Sequence, residues 1–194
     1  MKTLFIGIAI IAITASGCNN GTADSAANKK NDSTPVNNTP AKEGGMSANV
    51  DGAMREMVNQ YIQMKNALAN DNGKDAATAG NAFVASMGKM EKTSLTVEKK
   101  KTWDDLSDDA KEMAEHIGKN ADKIEHQREH FDMLSKDMYD MVKVFGAGQP
   151  LYNDYCPMYN NKKGATWLSE TKDIKNPYLG KKMPTCGSVK EEMK

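Results

Sequence analysis

Two cysteines near the C-terminus each have a methionine within three residues. One motif is Cys156-Pro157-Met158 and the other is Met183-Pro184-Thr185-Cys186. Thiolate and thioether sulfur atoms are soft ligands that select Cu(I) and similar ions, and the proline in each motif restricts the backbone beside them. Zinc prefers cysteine and histidine to thioethers. The sequence therefore predicts a site for copper or a similar soft metal ion, with the ligands Cys156, Met158, Met183 and Cys186.

The same two cysteines could instead form a disulfide bond. Closing a loop of about 30 residues would stabilise the fold by roughly 3–4 kcal/mol in the chain-entropy model. The chain contains 14 methionines, many of them at helical core positions, so a methionine near a cysteine could simply pack. In this alternative the protein is a structural or interaction module without a metal, and a Cys156–Cys186 disulfide holds its C-terminal segment.

Histidine side chains could add metal ligands. His126 and His130 are four positions apart and share one face of a helix, but their charged neighbours favour two solvated side chains. His116 is expected at the surface. The sequence leaves open whether His126 or His130 contributes to a site.

The N-terminal segment is typical of an exported lipoprotein. Lys2 is followed by an apolar run over residues 4–13, which is too short to span a bilayer. Ala15-Ser16-Gly17 then precedes Cys18, as in the lipobox of bacterial lipoproteins. Residues 1–18 are therefore predicted to be a signal peptide and lipobox with Cys18 as the lipidation site, which would anchor the protein to a bacterial membrane facing the periplasm. An ordinary secretory signal with an unmodified Cys18 is the alternative.

Composition and motif content exclude several functions. The chain has 26 basic and 26 acidic residues, and without a basic stripe it lacks the electrostatic footprint of a nucleic-acid-binding protein. It also contains no recognisable nucleophile–base pair or phosphate-binding loop, so we predict no enzyme activity. Residues 19–46 have no large apolar pattern and are predicted to be a flexible tether. Residues 47–194 suit a single domain.

Apolar residues recur at helical spacing through most of that domain. The predicted helices cover about residues 48–70, 74–92, 103–118 and 121–146. The last two share a heptad frame from Trp103 to Phe145, which would also allow one long helix. Gly118 as a C-cap, with Asn120 or Asp122 as the next N-cap, favours a break. The predicted fold is therefore all-α, an up-down four-helix bundle.

The C-terminal segment, residues 147–194, differs in character from the helices. It holds four of the chain's six prolines and four of its six tyrosines, and it shows no long helical or strand period. We expect an irregular segment that packs on the bundle. Gln127 lies on the apolar seam next to Arg128, and a buried polar group needs a partner. One of these two side chains is therefore expected to hydrogen-bond to the backbone of the C-terminal segment.

Several motifs carry a family resemblance. They are Gln127-Arg128-x-x-Phe131-x-x-Leu134-Ser135, Tyr155-Cys156-Pro157-Met158, Trp167-Leu168-Ser169, Ile174-x-Asn176-Pro177-Tyr178-x-Gly180 and Met183-x-x-Cys186-Gly187. Together they resemble an uncharacterised exported domain family, domain of unknown function 3347, over about residues 50–190. Members look like free-standing exported proteins or domains appended to periplasmic adaptor subunits of heavy-metal efflux pumps.

The resemblance implies that the protein binds or hands over copper or a similar metal. Its motifs place this role on Cys156, Met158, Met183 and Cys186, and not on His126 or His130. The resulting expectation is a membrane-tethered periplasmic protein that acts in metal tolerance or efflux. Its expected partners are the metal ion, the membrane through its lipid anchor, and an efflux-pump adaptor protein.

Overall fold

Four helices make up most of the computed structural model, which describes residues 43–193. The helices are α1 (Glu43–Ala69), α2 (Gly73–Met87), α3 (Val97–Lys119) and α4 (Ile124–Phe145). Helix α1 begins within the segment predicted as a tether, and the rest of that segment, the signal peptide and Cys18 lie outside the described residues. Each helix packs against the next along the chain, which confirms the predicted four-helix bundle. Within residues 43–193 no helix is long and apolar enough to cross a membrane.

Side-chain caps explain where two of the helices begin. The Asn72 side chain accepts a hydrogen bond from the backbone N–H of Asp75 at the start of α2, at 3.1 Å. The hydroxyl of Thr96 accepts one from the N–H of Lys99, at 3.3 Å, and starts α3 six residues before the predicted position. Helix α2 ends at Met87, five residues earlier than predicted. The residues between α2 and α3 include a short 3-10 turn at Lys92–Ser94.

The chain breaks between α3 and α4, as the sequence favoured, but the residues at the break have different roles. Asn120 caps the C-terminus of α3, and α4 begins at Ile124 after Lys123. Gly118 is not a C-cap, since it lies inside α3, where a Cβ atom would collide with the side chain of Asn81 on α2. The absence of a side chain at Gly118 therefore allows α2 and α3 to approach closely.

The C-terminal segment is not wholly irregular, because it contains a three-stranded antiparallel sheet. Its strands are β1 (Leu151–Cys156), β2 (Ala165–Ser169) and β3 (Ser188–Met193), in the order β2-β1-β3. The central strand β1 contains Asn153 and Asp154, residue types that are depleted in strands. Its pairing with β3 shifts register between these two residues. This irregularity hides the period of two that identifies a strand in a sequence.

The sheet covers the side of the bundle between α1 and α4. Strand β2 packs on both helices, and Trp167 and Leu168 of this strand are buried. The Tyr61 hydroxyl of α1 accepts a hydrogen bond from the N–H of Leu168, at 3.1 Å, and lies 2.7 Å from the hydroxyl of Ser135 on α4. The sheet is therefore part of the protein core and not an appendage.

A buried arginine ties the C-terminal segment to the helices. Arg128 of α4 donates to the carbonyl oxygens of Pro177, at 2.8 Å, and Leu68, at 3.0 Å, and pairs with Asp71 at 2.5 Å. The first of these bonds confirms that a side chain at 127 or 128 bonds to the backbone of that segment. Gln127 donates instead to the carbonyls of Gly73 and Ile117 within the bundle.

Candidate metal centre

The sheet register brings Cys156 and Cys186 together. Cys156 is the last residue of the central strand β1, and Tyr155 before it pairs with Ser188 of β3. Because the two strands are antiparallel, the residues just after Tyr155 lie beside those just before Ser188. Cys186 is two positions before Ser188 and therefore reaches Cys156 across the end of the sheet.

The two cysteine sulfur atoms are 2.7 Å apart, and both thiols are free. Two thiolates on one tetrahedral metal ion lie about 3.8 Å apart for bonds near 2.3 Å. Burial, together with the neighbouring Cys156 sulfur, raises the pKa of the Cys186 thiol. A metal ion would therefore have to separate the two sulfur atoms and displace a Cys186 proton that is held more firmly than usual.

The two predicted thioether ligands, Met158 and Met183, are close to the cysteines in the sequence but are more exposed to solvent than the cysteines are. The side chains of Met158 and Met183 are 46% and 41% exposed. The structure thus brings the two cysteines into contact, whereas solvent surrounds much of each methionine.

The turn that carries Met183 and Cys186 is held by Asn176. The buried side chain of Asn176 donates a hydrogen bond to the carbonyl oxygen of Cys186, at 2.6 Å. The backbone N–H of Asn176 donates another to the carbonyl oxygen of Pro184, at 2.9 Å. Gly187 follows with a φ of +146°, and a Cβ atom there would lie 2.9 Å from the Trp167 ring. The position of Cys186 is therefore fixed by contacts on both sides of it.

A second group of possible ligands lies at the connection between α3 and α4. His116 is in the last turn of α3, and His126 and His130 are in the first two turns of α4. The three residues can each offer a ring nitrogen such that these atoms lie within 4.8 Å of one another. All three side chains are partly exposed, so an ion could reach them from solvent.

The two α4 histidines are arranged closely enough to share an ion. Their Nε2 atoms are 3.1 Å apart, and two nitrogen ligands of a tetrahedral metal ion lie about 3.3 Å apart for bonds of 2.0–2.1 Å. The ring of His116 stacks on that of His130, with centroids 4.3 Å apart. With a ring nitrogen of His116 within 4.8 Å of one from each of the other two, the cluster offers three nitrogen ligands and leaves the fourth position of a tetrahedral ion free.

Neighbouring side chains contact the outer nitrogens of these rings. A carboxylate oxygen of Glu129 lies 3.5 Å from Nδ1 of His126, and Sδ of Met113 lies 3.2 Å from Nδ1 of His130. Burial lowers the pKa of His130, and the other two histidines lower it further. A lowered pKa favours the neutral imidazole, the form that binds metal ions.

The sequence favoured solvated side chains for His126 and His130, left their role as ligands open, and predicted a surface position for His116. A signal for the cluster was nevertheless present. In an antiparallel helix pair, residues equally distant from the connection face each other. His116 lies three residues before Lys119, the last residue of α3, and His126 lies two residues after Ile124, the first of α4. The predicted break in the helix, applied to these positions, would have placed His116 opposite His126 and His130.

The fold and this cluster define a helical-bundle protein with a group of imidazoles that could hold a metal ion. Residues 57–150 match the model of the family described as Protein of unknown function (DUF3347), and this part of the chain belongs to that family. The match contains all three histidines and ends before Cys156. No curated protein and no solved structure matches the chain.

Proposed function

We propose that this protein binds a transition-metal ion through His116, His126 and His130. The observation that carries the proposal is the grouping of three imidazole nitrogens within 4.8 Å on two packed helices. Imidazole suits zinc, copper and nickel ions. Because helices α3 and α4 hold the ligand backbones in place, little ordering is needed when the ion binds. The proposed role is binding rather than catalysis.

Titration of the untagged protein with Zn(II) tests this site. The chain has three histidines, so the variant with all three changed to Ala has no imidazole ligand left, whereas a polyhistidine tag would mask the result. We expect one equivalent of metal to bind the wild type and the affinity to fall more than 100-fold in the triple variant. At a free ion concentration 100 times Kd, binding should stabilise the wild type by about 2.7 kcal/mol.

A variant with Cys156→Ser and Cys186→Ser is the matched control for that titration. If the histidines form the site, this variant should keep its affinity for Zn(II). Equal affinities of the wild type and the triple histidine variant would refute the histidine site.

A second candidate is the Cu(I) site formed by Cys156, Met158, Met183 and Cys186. The contact between the two thiol sulfur atoms supports it, while the exposure of both methionines and the raised pKa of Cys186 weigh against a preformed four-sulfur site. Because the histidines could also bind Cu(I), this test uses reduced protein in which all three histidines are Ala. There, stoichiometric Cu(I) binding should be lost when Cys156→Ser and Cys186→Ser are added and weakened when Met158→Leu and Met183→Leu are added. Retention of Cu(I) binding without both the histidines and the cysteines would exclude this candidate.

The non-metal alternative for the sulfur pair is a structural disulfide in an interaction module. It requires that the protein as isolated contains the oxidised pair and resists mild reductant. Intact-mass measurement after thiol alkylation distinguishes the forms, because each free thiol adds one alkyl group. Two alkylated thiols in protein isolated without reductant would contradict this alternative.

The setting that we propose is a bacterial membrane surface facing the periplasm. Support comes from the apolar run and the Ala15-Ser16-Gly17-Cys18 motif. In this setting the protein would take part in heavy-metal tolerance or efflux, with an efflux-pump adaptor as its protein partner. Metabolic labelling with a fatty acid should mark the wild type and not Cys18→Ser, and equal labelling of both would rule out Cys18 as the anchor.

A further inference from the structure

His130 makes a polar contact with each of its two ring nitrogens. Its Nε2 lies 3.1 Å from Nε2 of His126, and its Nδ1 lies 3.2 Å from the Sδ atom of Met113 on α3. A thioether sulfur has lone pairs and no hydrogen, so it can only accept a hydrogen bond. The Met113 contact therefore favours the imidazole form in which Nδ1 carries the hydrogen and Nε2 presents its lone pair.

His126 also has an acceptor near its outer nitrogen, although at a longer distance. Its Nδ1 lies 3.5 Å from a carboxylate oxygen of Glu129, which can only accept a hydrogen bond. When both Nδ1 atoms carry hydrogen, the lone pairs of the two Nε2 atoms face each other across 3.1 Å. Two lone pairs repel at that distance, so without a metal ion one of the two Nε2 atoms carries a hydrogen that the other accepts. A cation between the rings can take the place of that hydrogen.

We propose that Met113 is a positioning residue of the metal site, whose thioether holds His130 with its Nε2 directed at the ion. This inference rests on the proposed histidine site. Metal-binding histidines almost always donate their second ring N–H to an acceptor, and loss of that acceptor typically weakens metal binding 10- to 100-fold. Met113 is not a ligand itself, because its sulfur contacts the nitrogen of His130 other than the one that faces His126.

The hydrogen position on His130 can be measured without any metal. Long-range 1H–15N spectra of the metal-free protein at pH 8 distinguish imidazole that carries hydrogen on Nδ1 from imidazole that carries it on Nε2. We expect His130 of the wild type to be mainly the Nδ1–H form. In Met113→Leu this population should fall, and in Met113→Gln, whose amide oxygen can accept the same hydrogen, it should be retained. Met133→Leu, at an exposed methionine of α4, is the control and should match the wild type.

Zinc affinity provides the functional measurement. Met113→Leu should weaken Zn(II) binding about tenfold, while Met113→Gln and Met133→Leu should stay close to the wild type. X-ray absorption of the zinc-loaded variant with Cys156→Ser and Cys186→Ser should show nitrogen or oxygen neighbours only. A sulfur neighbour of the zinc in that variant would overturn the positioning role, because Met113 would then be a ligand.

The two proposals fail in different ways. A wild type that binds no zinc refutes the histidine site, whereas the spectra of the metal-free protein still show whether Met113 sets the form of His130. A wild type that binds zinc, with unchanged spectra and affinity in Met113→Leu, refutes the role of Met113 and leaves the site standing.

Discussion

The two groups of candidate ligands are built by different kinds of structure. The histidines lie on a helix pair, within 14 positions of the chain, and their spacing follows from helix geometry and one short connection. The two cysteines are separated by 30 positions and meet only because β1 and β3 pair at a particular register. The histidine cluster therefore depends on the bundle alone, whereas the cysteine pair depends on the whole C-terminal segment.

The two regions also differ in the chemistry that a metal ion would meet. The lowered pKa of His130 leaves this ring neutral and ready to bind. The raised pKa of Cys186 keeps its thiol protonated, so a metal ion must displace that proton. On these grounds the histidine cluster is the better prepared of the two for a divalent cation near neutral pH.

The largest expected difference between the two regions appears on oxidation. A Cys156–Cys186 disulfide would close a loop of 30 positions and should raise the free energy of unfolding by roughly 3–4 kcal/mol in the chain-entropy model. Urea unfolding of oxidised and reduced wild type measures this gain, with the Cys156→Ser, Cys186→Ser variant as the control that should not respond to oxidant. Zinc affinity should be equal in both redox forms, and an affinity that follows the redox state would show that the regions are coupled.

The next largest effect is expected from Arg128→Met, which removes the donor that joins the C-terminal segment to α1 and α4. Two buried carbonyl oxygens, of Leu68 and Pro177, then lose a hydrogen bond. We expect the free energy of unfolding in urea to fall by about 2–3 kcal/mol. Glu125→Gln removes only an exposed partner of Arg128 and should cost less than about 0.5 kcal/mol.

Arg128→Met also shows whether zinc binding by the histidine cluster depends on the attachment of the C-terminal segment. Its folded fraction should bind Zn(II) as the wild type does, because the side chain reaches away from the histidine rings to α1 and Pro177. A fall in zinc affinity as large as that of the triple histidine variant would mean that the cluster does not depend on the bundle alone.

The smallest expected effect is a dependence of the free energy of unfolding on pH, to which Asp154 of the sheet contributes. Asp154 is fully buried, and this burial raises its pKa to about 7. Its value in an unfolded chain is about 3.9, so the folded state binds more protons between these two values and the free energy of unfolding falls as pH rises from about 4 to 7. Asp154→Asn removes the ionisation, which costs the wild type about 4 kcal/mol at pH 8, but it buries an amide that costs about 1–3 kcal/mol where it lacks partners. The variant should therefore be more stable than the wild type by about 1–2 kcal/mol at pH 8.

The histidine region contributes to the pH profile with the opposite sign. Because the pKa of His130 is lowered in the folded state, the unfolded chain binds more protons below about pH 6.5, and this contribution to stability increases as pH rises through that range. Asp137 of α4 provides the control for Asp154, because burial, Asp109 and Asp140 raise its pKa to about 6. Asp137→Asn should therefore flatten the dependence of unfolding free energy on pH only below about pH 6. If Asp154→Asn and the wild type show the same dependence, Asp154 is not the source of the fall in stability between about pH 4 and 7.

The sequence was most informative where one period governs a long stretch of chain. The heptad frame from Trp103 to Phe145 predicted core positions on both α3 and α4, and Trp103, Ile117 and Phe131 are indeed buried. That frame remains in register across the break because only four residues separate the two helices. Hydrophobic burial on a helix face is a local property and can therefore be inferred from spacing.

Features that depend on distant pairing were harder to infer. The sheet escaped prediction because β1 carries Asn153 and Asp154 where its pairing shifts. The sequence could not predict the distance between the two cysteines, because that distance depends on how β1 pairs with β3. His116 was expected at the surface because it stands alone in the sequence, although its position beside the break between α3 and α4 could have placed it opposite the other two histidines.

The position of β2 between α1 and α4 has a consequence for how the protein is made. Trp167 and Leu168 cover core residues of both helices, but they are synthesised after all four helices. Until the ribosome has released them, the side of the bundle that contains Tyr61 and Phe131, whose rings stack at 4.9 Å, stays open to water. A nascent chain that is interrupted near residue 150 therefore exposes an apolar face to chaperones and proteases, and synthesis of the last 45 or so residues ends that vulnerability.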